Sequence, residues 1–580
     1  MKSATDSQTQ NRAVFFTLRH YLLLGLMLFL LGGLAGRAFY LQIIDQEFLA
    51  DQGQQRQIRI IETPAYRGAI LDRHGSPLAI STPVDSVWVN PGEILQNLPG
   101  LETVTGKLGL DYLSTLATIQ KKSDKAFVYL QRQLQPAVAQ AVTEGVDGVY
   151  LQREYQRYYP EGEVVSHLVG FTDIDDNGQE GLELVYEDWL RAQVGQRRIM
   201  RNRKGEVIEE LGQVKAARSG RDIVTGIDMR LQYVAYRSLV RAVQYHRAKS
   251  GSAVLIDVGT GEVLAMVNQP SYNPNQRKRM TASQQRNRAL TDVFEPGSVI
   301  KPFTLAAAID RGRFDNESLI DTAPGWIMVS GSPIKDNRNY GQLNLAGILR
   351  KSSNVGASRI AMSLSADELW QAFSNYGFGA SSGVVFPAES SGHLQHHREW
   401  QPLDHAAIGY GYGVSLSVTQ LARAYAMIAN QGREFEISLL KKEPEEVSEN
   451  KISRHVMKAS TARMVMAMME KVVSPEGTAA KAAITGYRIA GKTGTAKKNS
   501  VGGYQQDDYI AVFAGIAPVS DPRLVMVAMI NEPTQHGYYG GTVAAPVFHK
   551  VMSAALRILN IPPDDPMALQ AKLADTGQRI

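Results

Sequence analysis

The segment that most constrains this chain is an apolar run near its N-terminus. Residues 21–36 carry no charge, Arg37 interrupts, and apolar residues continue to Ile44, giving 24 residues in all. An α-helix rises about 1.5 Å per residue, so this run would extend roughly 36 Å, enough to cross a bilayer with some tilt. Arg37 lies near one end and could extend its side chain to the interface. We therefore predict one transmembrane helix over residues 21–44.

The charges that flank this run predict its orientation. Mainly basic residues precede it and acidic residues follow it: Lys2, Asp6, Arg12 and Arg19 on one side, and Asp45, Glu47 and Asp51 on the other. The positive-inside rule then puts residues 1–20 in the cytoplasm and the remainder outside. A cleaved signal peptide is the alternative, but Gly36-Arg37-Ala38 is a poor cleavage site and the apolar run is long for such a peptide. We expect an uncleaved, single-pass anchor.

Length and composition bound the rest of the chain. A sequence of 580 residues is too long for one ordinary domain. With 44% hydrophobic and 21% charged residues, most of it is expected to fold around apolar cores. The formal net charge of +5 is small for this length and gives no support for nucleic-acid binding. The absence of cysteine excludes disulfides and thiolate metal sites, but it does not identify a compartment.

A serine with a lysine three residues later opens an apolar segment in the second half of the chain. Ser298 and Lys301 stand in EPGSVIKPFTLAAAI, where Gly297 predicts a turn, Ser298 an N-cap and the following residues a buried helix. Pro302 is tolerated in the first turn of a helix. Residues three apart share a helix face, so a desolvated, neutral lysine could take the serine proton. The motif predicts an activated nucleophile, with an ordinary N-cap as the alternative.

The Ser-x-x-Lys pattern is weak on its own, because it occurs twice more. Ser332 with Lys335 and Ser448 with Lys451 have the same spacing. Neither pair leads into an apolar helix that could bury a lysine and lower its pKa. Ser298 is therefore the candidate nucleophile among the three.

Two further polar motifs follow Ser298 along the chain. Ser352 and Asn354 supply a hydroxyl and an amide two residues apart after a helical run, although Ser448 and Asn450 match the same pattern. The segment Lys492-Thr493-Gly494-Thr495 is predicted to end a strand. There a cation and hydroxyls can meet an anionic ligand group, while Gly494 lets the ligand close on the backbone. A strand-end turn with a solvated lysine is the alternative.

Hydrophobic patterns predict an α+β, multidomain architecture. Residues 45–235 show short mixed strands and helices without an evident nucleophile, metal cluster or nucleotide loop, which suggests a spacer or docking domain. Residues 236–560 contain two strands, a helical block, three strands and a last helix, which predict an antiparallel sheet covered by helices. The strands are expected at 252–257, 262–267, 487–490, 508–516 and 524–530, and helices at 343–360, 419–430, 459–473 and 543–559. We expect residues 561–580 to be a C-terminal tail.

The three motifs, in this order, resemble those of the penicillin-recognising serine transferases. Other segments look like class B penicillin-binding proteins: 67–75 (RGAILDRHG), 157–162 (RYYPEG), 181–184 (GLEL), 257–275, 287–290, 409–413 (GYGYG) and 477–479. The resemblance covers roughly residues 20–560, and its nearest form is the division-specific FtsI type of Gram-negative bacteria, the penicillin-binding protein 3 group. It implies a mixed α/β pedestal of the dimerisation type and a transpeptidase domain with a five-stranded antiparallel sheet flanked by helices.

The resemblance implies a D,D-transpeptidase that cross-links peptidoglycan through an acyl-enzyme. Ser298 would attack the penultimate D-Ala carbonyl of a donor stem pentapeptide, and an amine of a neighbouring stem, the acceptor, would resolve the ester. Lys301 would be the base for Ser298, and Asn354 would hold Lys301 and the substrate amide. Ser352 and Lys492 would relay a proton to the leaving group.

By the same resemblance, other residues would bind the substrate. Thr493 and Thr495 would hold its carboxylate beside Gly494, and the backbone N–H groups of Ser298 and Thr495 would form the oxyanion hole. Aromatic residues would line the cleft, with core packing as the alternative for each: Tyr410, Tyr412, Tyr538 and Tyr539. β-Lactams would acylate Ser298 as substrate mimics, and no metal or organic cofactor is implied.

The resemblance also implies a setting in the bacterial inner membrane, with the catalytic domain in the periplasm. An FtsW-type membrane glycosyltransferase would be the polymerising partner, and other division proteins would contact the spacer domain. Residues 45–235 lack the acidic motif of a glycosyltransferase domain, which disfavours a bifunctional class A enzyme. The anchor and large spacer argue against a β-lactamase, and 20 cytoplasmic residues leave no room for the signalling domain of a β-lactam sensor. A protein that is mainly a division scaffold, and an elongation-type or accessory class B transpeptidase, stay open.

Overall fold

A computed structural model describes residues 6–48, 58–201, 207–277, 280–443, 454–500, 503–568 and 570. Ser448, Asn450 and Lys451 of the repeated motifs lie outside the described residues, as do residues 1–5 and 571–580 of the predicted tails. The chain divides into two units. One comprises residues 1–65 with 192–219, and the other residues 66–191 with 220–580.

The first unit begins with the N-terminal helix. An α-helix spans Asp6–Phe39 and continues as a π-helical turn over Tyr40–Ile44. Its stretch Leu18–Ile44 is long and apolar enough to cross a membrane, and its side chains are exposed all round. The predicted span at 21–44 lies within this stretch. Along the part of the chain that the structure describes, no other helix meets this criterion.

A three-stranded antiparallel sheet completes the first unit. Gly195–Arg201 is its central strand, paired with Ile58–Thr63 on one side and with Val207–Lys215 on the other.

The second unit opens with residues 66–191 and the strand Ile223–Val224, which fall within the predicted pedestal domain (45–235). Ile70 pairs antiparallel with Ala79 across a turn that contains His74 and Gly75. Besides Ile223–Val224, the strands of this part are Ile70–Leu71, Pro77–Val89, Val128–Leu134 and Val149–Tyr158, with a small hairpin at Phe171–Thr172 and Gly178–Glu180. The helices are Pro91–Ile94, Leu98–Leu108, Tyr112–Lys121, Pro136–Thr143, Ser166–Val169, Gly181–Val185 and Glu187–Leu190.

A buried ion cluster joins three of the pedestal segments that carry the family resemblance. Arg67 Nε donates to Glu183 at 2.7 Å, and Arg157 Nε donates to the other oxygen of the same carboxylate at 2.6 Å. All three side chains are at least 94% buried. Glu187 adds a second carboxylate 2.7 Å from Arg67. Buried charges are tolerated only when paired, so these segments are explained by packing rather than by catalysis.

The transpeptidase part of the second unit is built on a five-stranded, fully antiparallel sheet, as predicted. Its strand order is Val263–Gln269, Ser250–Asp257, Leu524–Asn531, Gly503–Ala517 and Ala490–Ser500. Consecutive residues of the Ser250–Asp257 and Leu524–Asn531 strands are buried, so both faces of the sheet are covered. Ala490–Ser500 is one of the two outermost strands and is called the edge strand below.

Two layers of helices cover this sheet. Met229–Tyr245 packs with Ala545–Ile558, and Val418–Ala429 packs with Ala459–Val473. The predicted domain boundary at 235/236 falls inside the first of these helices, and we propose that it lies before Met229. The remaining helices are Ala282–Gln285, Arg288–Thr291, Lys301–Asp310, Leu345–Lys351, Asn354–Met362, Ala366–Asn375, Pro402–Ile408 and Gly540–Val543.

Three two-stranded pairs complete the elements: Leu319–Asp321 with Gln342–Asn344, Trp326–Val329 with Ser332–Lys335, and His393–Leu394 with Val414–Ser415. The described start of the C-terminal tail packs on the transpeptidase part. There Asp564 accepts hydrogen bonds from the N–H groups of Arg488 and Ser520.

Two predicted elements differ from the structure around the motifs. The helix expected over 343–360 is two helices, because Ser352 adopts a left-handed conformation (φ 59°) that ends the first of them. The strand expected at 487–490 starts at Ala490, so Lys492–Thr495 lies within a strand rather than at its end. Pairing with the buried strand beside it extends this strand through a segment that is polar in sequence.

The buried ion cluster of the pedestal predicts a large stability effect at Glu183. Glu183→Gln removes the charge that pairs with both arginines, so the buried Arg157 loses its carboxylate partner and Arg67 keeps only Glu187. We expect the free energy of unfolding to fall by about 3–5 kcal/mol, measured by chemical unfolding of the full chain in detergent. Glu161→Gln makes the same change at an exposed site and is the matched control; an equal, small effect of both variants would contradict the prediction.

Candidate active site

Ser298 lies in a tight turn that leads into a fully buried helix segment. Gly297–Ile300 forms a 3-10 turn, called the serine turn below, and the α-helix follows over Lys301–Asp310. The prediction that Ser298 is an N-cap is wrong, because the α-helix is preceded by Ile300 and the 3-10 turn by Pro296. Pro302 does occupy the first helical turn, as predicted.

Two glycines, Gly411 and Gly494, allow two other segments of the chain to pack closely against the serine turn. Gly297 N–H donates to the carbonyl of Gly411 at 3.0 Å, and Gly411 has a φ of 94°. A Cβ at Gly411 would lie 2.1 Å from the Gly297 carbonyl oxygen, and one at Gly494 would lie 2.8 Å from that of Pro296. From the sequence, the small size of Gly494 was expected to let a ligand approach the backbone closely. In the structure the missing Cβ faces the serine turn, so the edge strand can pack directly against it.

Lys301 is completely buried and connects the helix Lys301–Asp310 to the segment that carries Ser352 and Asn354. Its Nζ donates to the Ser352 carbonyl at 2.6 Å, to Ser352 Oγ at 3.3 Å and to Asn354 Oδ1 at 2.8 Å. These are its hydrogen bonds among the described residues, and none of them goes to Ser298. Lys301 thus contacts Asn354, the residue expected to hold it, and also Ser352, whose expected partner was Lys492. A hydrogen bond from Lys301 to Ser298 is not formed in this structure.

Ser352 Oγ lies between two buried lysine amines. Lys492, fully buried in the edge strand, donates from Nζ to Ser352 Oγ at 3.0 Å and to the Thr493 carbonyl at 3.0 Å. Lys301 reaches the same hydroxyl from the helix Lys301–Asp310. A hydroxyl that can accept from one amine and donate to another is a path for a proton between them.

Burial lowers the pKa of both lysines. The pKa of Lys301 lies well below its ordinary value because the amine is desolvated and because Lys492 is a second cation nearby; the charge of Asp336 partly offsets these effects. Desolvation lowers the pKa of Lys492 to about 7. Two adjacent cations with little solvent favour loss of a proton from one of them. The pair can thus supply a neutral amine, which is a general base, beside a charged one.

Asp336 organises the second motif and was missed by the sequence analysis. Its Oδ1 accepts from the N–H groups of Asn354 (2.5 Å) and Val355 (3.1 Å), and its Oδ2 accepts from Ser353 Oγ at 2.5 Å. It caps the helix that begins at Asn354 and fixes the turn that carries Ser352. Asp336 follows one of the two repeats of the first motif, but no local spacing connects it with a helix 18 residues later.

The threonines of the edge strand share one of its faces and contact two later segments. Thr493 Oγ1 lies 2.8 Å from Thr478 Oγ1, and Thr495 Oγ1 accepts from Gly540 N–H at 3.0 Å. Lys497 N–H lies 3.5 Å from Tyr412 Oη, off the outer edge of the sheet. Because N–H groups of alternate residues point the same way along a strand, Thr495 N–H is directed to this outer edge too, beside the serine turn.

The four candidate cleft tyrosines form two pairs at this edge. The rings of Tyr410 and Tyr412 are 5.5 Å apart, and those of Tyr538 and Tyr539 are 4.4 Å apart. Tyr410 packs against a small apolar cluster, and burial raises its pKa to about 12. Tyr539 is 54% exposed. The group thus combines core packing, at Tyr410, with exposure, at Tyr539.

Comparison with known families matches both parts of the chain. Residues 251–553 match the penicillin binding protein transpeptidase domain, and residues 62–225 match the penicillin-binding protein dimerisation domain. The transpeptidase match includes the edge strand, the serine turn and the Ser352–Asn354 segment. The dimerisation-domain match includes the buried ion cluster.

Individual relatives are similar over nearly the whole chain. The Pseudomonas aeruginosa protein named "Probable peptidoglycan D,D-transpeptidase PbpC" is 42% identical, over 93% of this chain and 95% of its own length. The peptidoglycan D,D-transpeptidase FtsI of Escherichia coli is 40% identical, over 97% and 96%. A solved structure of the TP domain of penicillin-binding protein 3 from Burkholderia pseudomallei is 41% identical, with a TM-score of 0.54, and is matched over 97% of its length and 59% of this chain.

These similarities agree with the geometry described above. The family identified from the three sequence motifs is confirmed, and so is the arrangement of one apolar N-terminal helix, a pedestal domain and a domain with a five-stranded antiparallel sheet. The chain therefore belongs to the penicillin-binding protein transpeptidase family and has the class B architecture, with a dimerisation-type domain before the transpeptidase domain.

Proposed function

We propose that this protein is a peptidoglycan D,D-transpeptidase that works through an acyl-enzyme on Ser298. The observation that carries the proposal is the convergence of Lys301 and Lys492 on Ser352 Oγ beside the serine turn. The relatives named as peptidoglycan D,D-transpeptidases support the same reaction and substrate class.

In the first step, Ser298 Oγ attacks the carbonyl carbon of the penultimate D-Ala of a donor pentapeptide. Lys301 is one helical turn from Ser298, is buried, and has a strongly lowered pKa, so its neutral amine accepts the Ser298 proton. The amine must exchange one of its present hydrogen bonds for one to Ser298. Apo sites often tighten in this way when substrate binds.

The developing oxyanion is stabilised by two backbone donors, the N–H groups of Ser298 and Thr495. A single donor of this kind contributes about 100-fold or more in rate. The proton then passes through Ser352 and Lys492 to the leaving nitrogen, the C–N bond breaks, and terminal D-Ala departs. An acceptor amine next attacks the ester, and the Ser298 Oγ–carbon bond breaks as the cross-link forms.

Substrate binding falls to the edge strand and its neighbours. The hydroxyls of Thr493 and Thr495, with the Lys492 cation, bind the donor carboxylate beside Gly494. Asn354 holds Lys301 through Oδ1, and its Nδ2 donates to the Lys335 carbonyl at 3.1 Å, which leaves a second N–H bond on the same nitrogen for the substrate amide. The aromatic pairs at the sheet edge form the cleft walls: Tyr410, Tyr412, Tyr538 and Tyr539.

The cellular setting is part of the proposal. The charges around the N-terminal helix favour a cytoplasmic N-terminus, an inner-membrane anchor and a periplasmic catalytic domain. The similarity to FtsI proteins supports a role in building the septum, with an FtsW-type glycosyltransferase and other division proteins as partners.

The acyl-enzyme is tested by incubating the full chain in detergent with a penicillin and measuring intact mass. We expect one added penicillin on the wild type and none on Ser298→Ala, because that variant lacks the attacking oxygen. Lys301→Ala should acylate about 100-fold more slowly or worse, as expected when a general base is lost. An adduct on Ser298→Ala would remove Ser298 as nucleophile, and near wild-type acylation of Lys301→Ala would remove Lys301 as base.

The pKa of Lys492 predicts how acylation depends on pH. Lys492 is charged below about pH 7 and neutral above it, so a step that needs its cation slows as the pH rises through that value. Second-order acylation rates between pH 5 and 9 should show this falling limb in the wild type. Lys492→Arg keeps its positive charge at every pH in this range. We therefore expect no falling limb in this variant, although its maximum acylation rate should be lower. The same falling limb in the variant would assign it to another group.

The division role is tested in cells depleted of the native protein. A Ser298→Ala variant that localises normally should fail to support septation, because cross-linking at the septum is lost. Normal septation with this variant would favour a mainly scaffolding role. Normal septation after depletion, without any copy, would favour an elongation-type or accessory role instead.

A further inference from the structure

A cavity beside the segment that accepts a hydrogen bond from Asn354 is not used by the proposed chemistry. It has a volume of about 430 Å³ and is formed by the hairpin Trp326–Val329 and Ser332–Lys335, called the cleft hairpin here, together with the segment that follows it. Its lining includes Trp326, Met328, Lys335, Asp336, Arg338 and Asn339.

The cleft hairpin has one face in the core and one face toward this cavity. Ile327, Val329 and Ile334 belong to the small apolar cluster that also contains Tyr410. On the other face Trp326 pairs across the strands with Lys335, and Met328 pairs with Pro333. Trp326 and Met328 are 47% and 53% exposed. Core packing therefore does not account for these two large apolar side chains.

The cavity is positively charged. Neither Lys335 nor Arg338 forms an ion pair with a residue that the structure describes; Arg338 lies over the ring of Tyr340 at 5.3 Å. The carboxylate in the lining, Asp336, already accepts hydrogen bonds on both oxygens from the Ser353–Val355 segment. Two cations, an exposed indole and the side-chain amide of Asn339 are thus available to an anionic ligand with an apolar part.

Two hydrogen bonds of Asn354 link the lining of the cavity to Lys301. Lys335 contributes its carbonyl to Asn354 Nδ2, and Asn354 Oδ1 holds the Lys301 amine. In the proposed function the donor carboxylate is bound by the threonines of the edge strand, which are not part of the cavity lining. The second substrate, the acceptor stem, also carries carboxylates, and its amine must reach the ester carbonyl from a side that the donor does not occupy.

We propose that the cavity at the cleft hairpin binds the acceptor stem peptide through a carboxylate held by Lys335 and Arg338. This proposal rests on the proposed transpeptidase function. The bound acceptor presents its amine nitrogen to the ester carbonyl carbon; the C–N bond forms, the bond from that carbon to Ser298 Oγ breaks, and the amine proton returns to Ser298 Oγ. Lys335 and Arg338 are specificity residues that bind the acceptor and take no part in acylation.

The test uses full-length protein in detergent, a donor pentapeptide and two synthetic tetrapeptide stems as acceptors. One stem has free carboxylates and the other has the same groups as carboxamides. We expect the wild type to have a lower KM for the free acid. In the double variant Lys335→Gln, Arg338→Gln that KM should rise about tenfold or more, as for the loss of charge-assisted hydrogen bonds worth at least about 1.4 kcal/mol, while the KM for the carboxamide stays unchanged.

A matched control and a separate readout identify the reason for any failure. Lys481→Gln, Arg557→Gln removes two exposed cations elsewhere on the same unit and should not change either KM. Penicillin acylation of Ser298 should proceed at the wild-type rate and with the wild-type pH profile in both double variants. If acylation is normal but the two acceptors are affected equally or not at all, the cavity is not the acceptor site. If the wild type itself forms no acyl-enzyme, the proposed function fails instead.

Discussion

The site depends on the burial of two lysine amines around one serine hydroxyl. An amine taken out of water loses the solvation that favours its charge, so burial lowers the pKa of both lysines, and the nearby Lys492 cation lowers that of Lys301 further. This arrangement destabilises the folded chain, since the unfolded lysines would hold their protons much more tightly. It is held in place by Asp336 and by the helices and strand that carry the lysines. The chemistry and the cost in stability come from the same two side chains.

Geometry around the serine turn is set by backbone contacts between segments far apart in the sequence. The turn touches the loop at Gly411 and the edge strand at Gly494, and a Cβ at either position would collide with a carbonyl oxygen of the turn region. These contacts leave Ser298 little freedom to shift relative to Thr495 and Tyr412. A nucleophile placed in this way is pre-organised before substrate arrives, which reduces the entropy lost in reaching the transition state.

Much of this could be predicted from the sequence, because the motifs lie in elements with strong local patterns. The buried helix after Lys301, the five strands and the membrane-length helix follow from apolar runs and alternation. The break at Ser352 could not be predicted, since a left-handed serine between two helical runs has no local signal apart from its polarity. Asp336 was missed for a related reason: its partners at 353–355 are reached only through the fold. The same limit applied to Arg67, Arg157 and Glu183. The segments that contain them could be recognised in the sequence, but the ion pairs between them could not be predicted.

The position of Lys492–Thr495 in the edge strand has a consequence for what the cleft can distinguish. A strand at the edge of a sheet presents backbone N–H and C=O groups to which an extended peptide can form hydrogen bonds as an additional strand. Side chains of a peptide bound in this way would alternate between the two faces of the sheet, so only every second residue would meet the Thr493 and Thr495 face. The backbone of the ligand would then provide much of the affinity, and sequence selectivity would be confined to alternate positions.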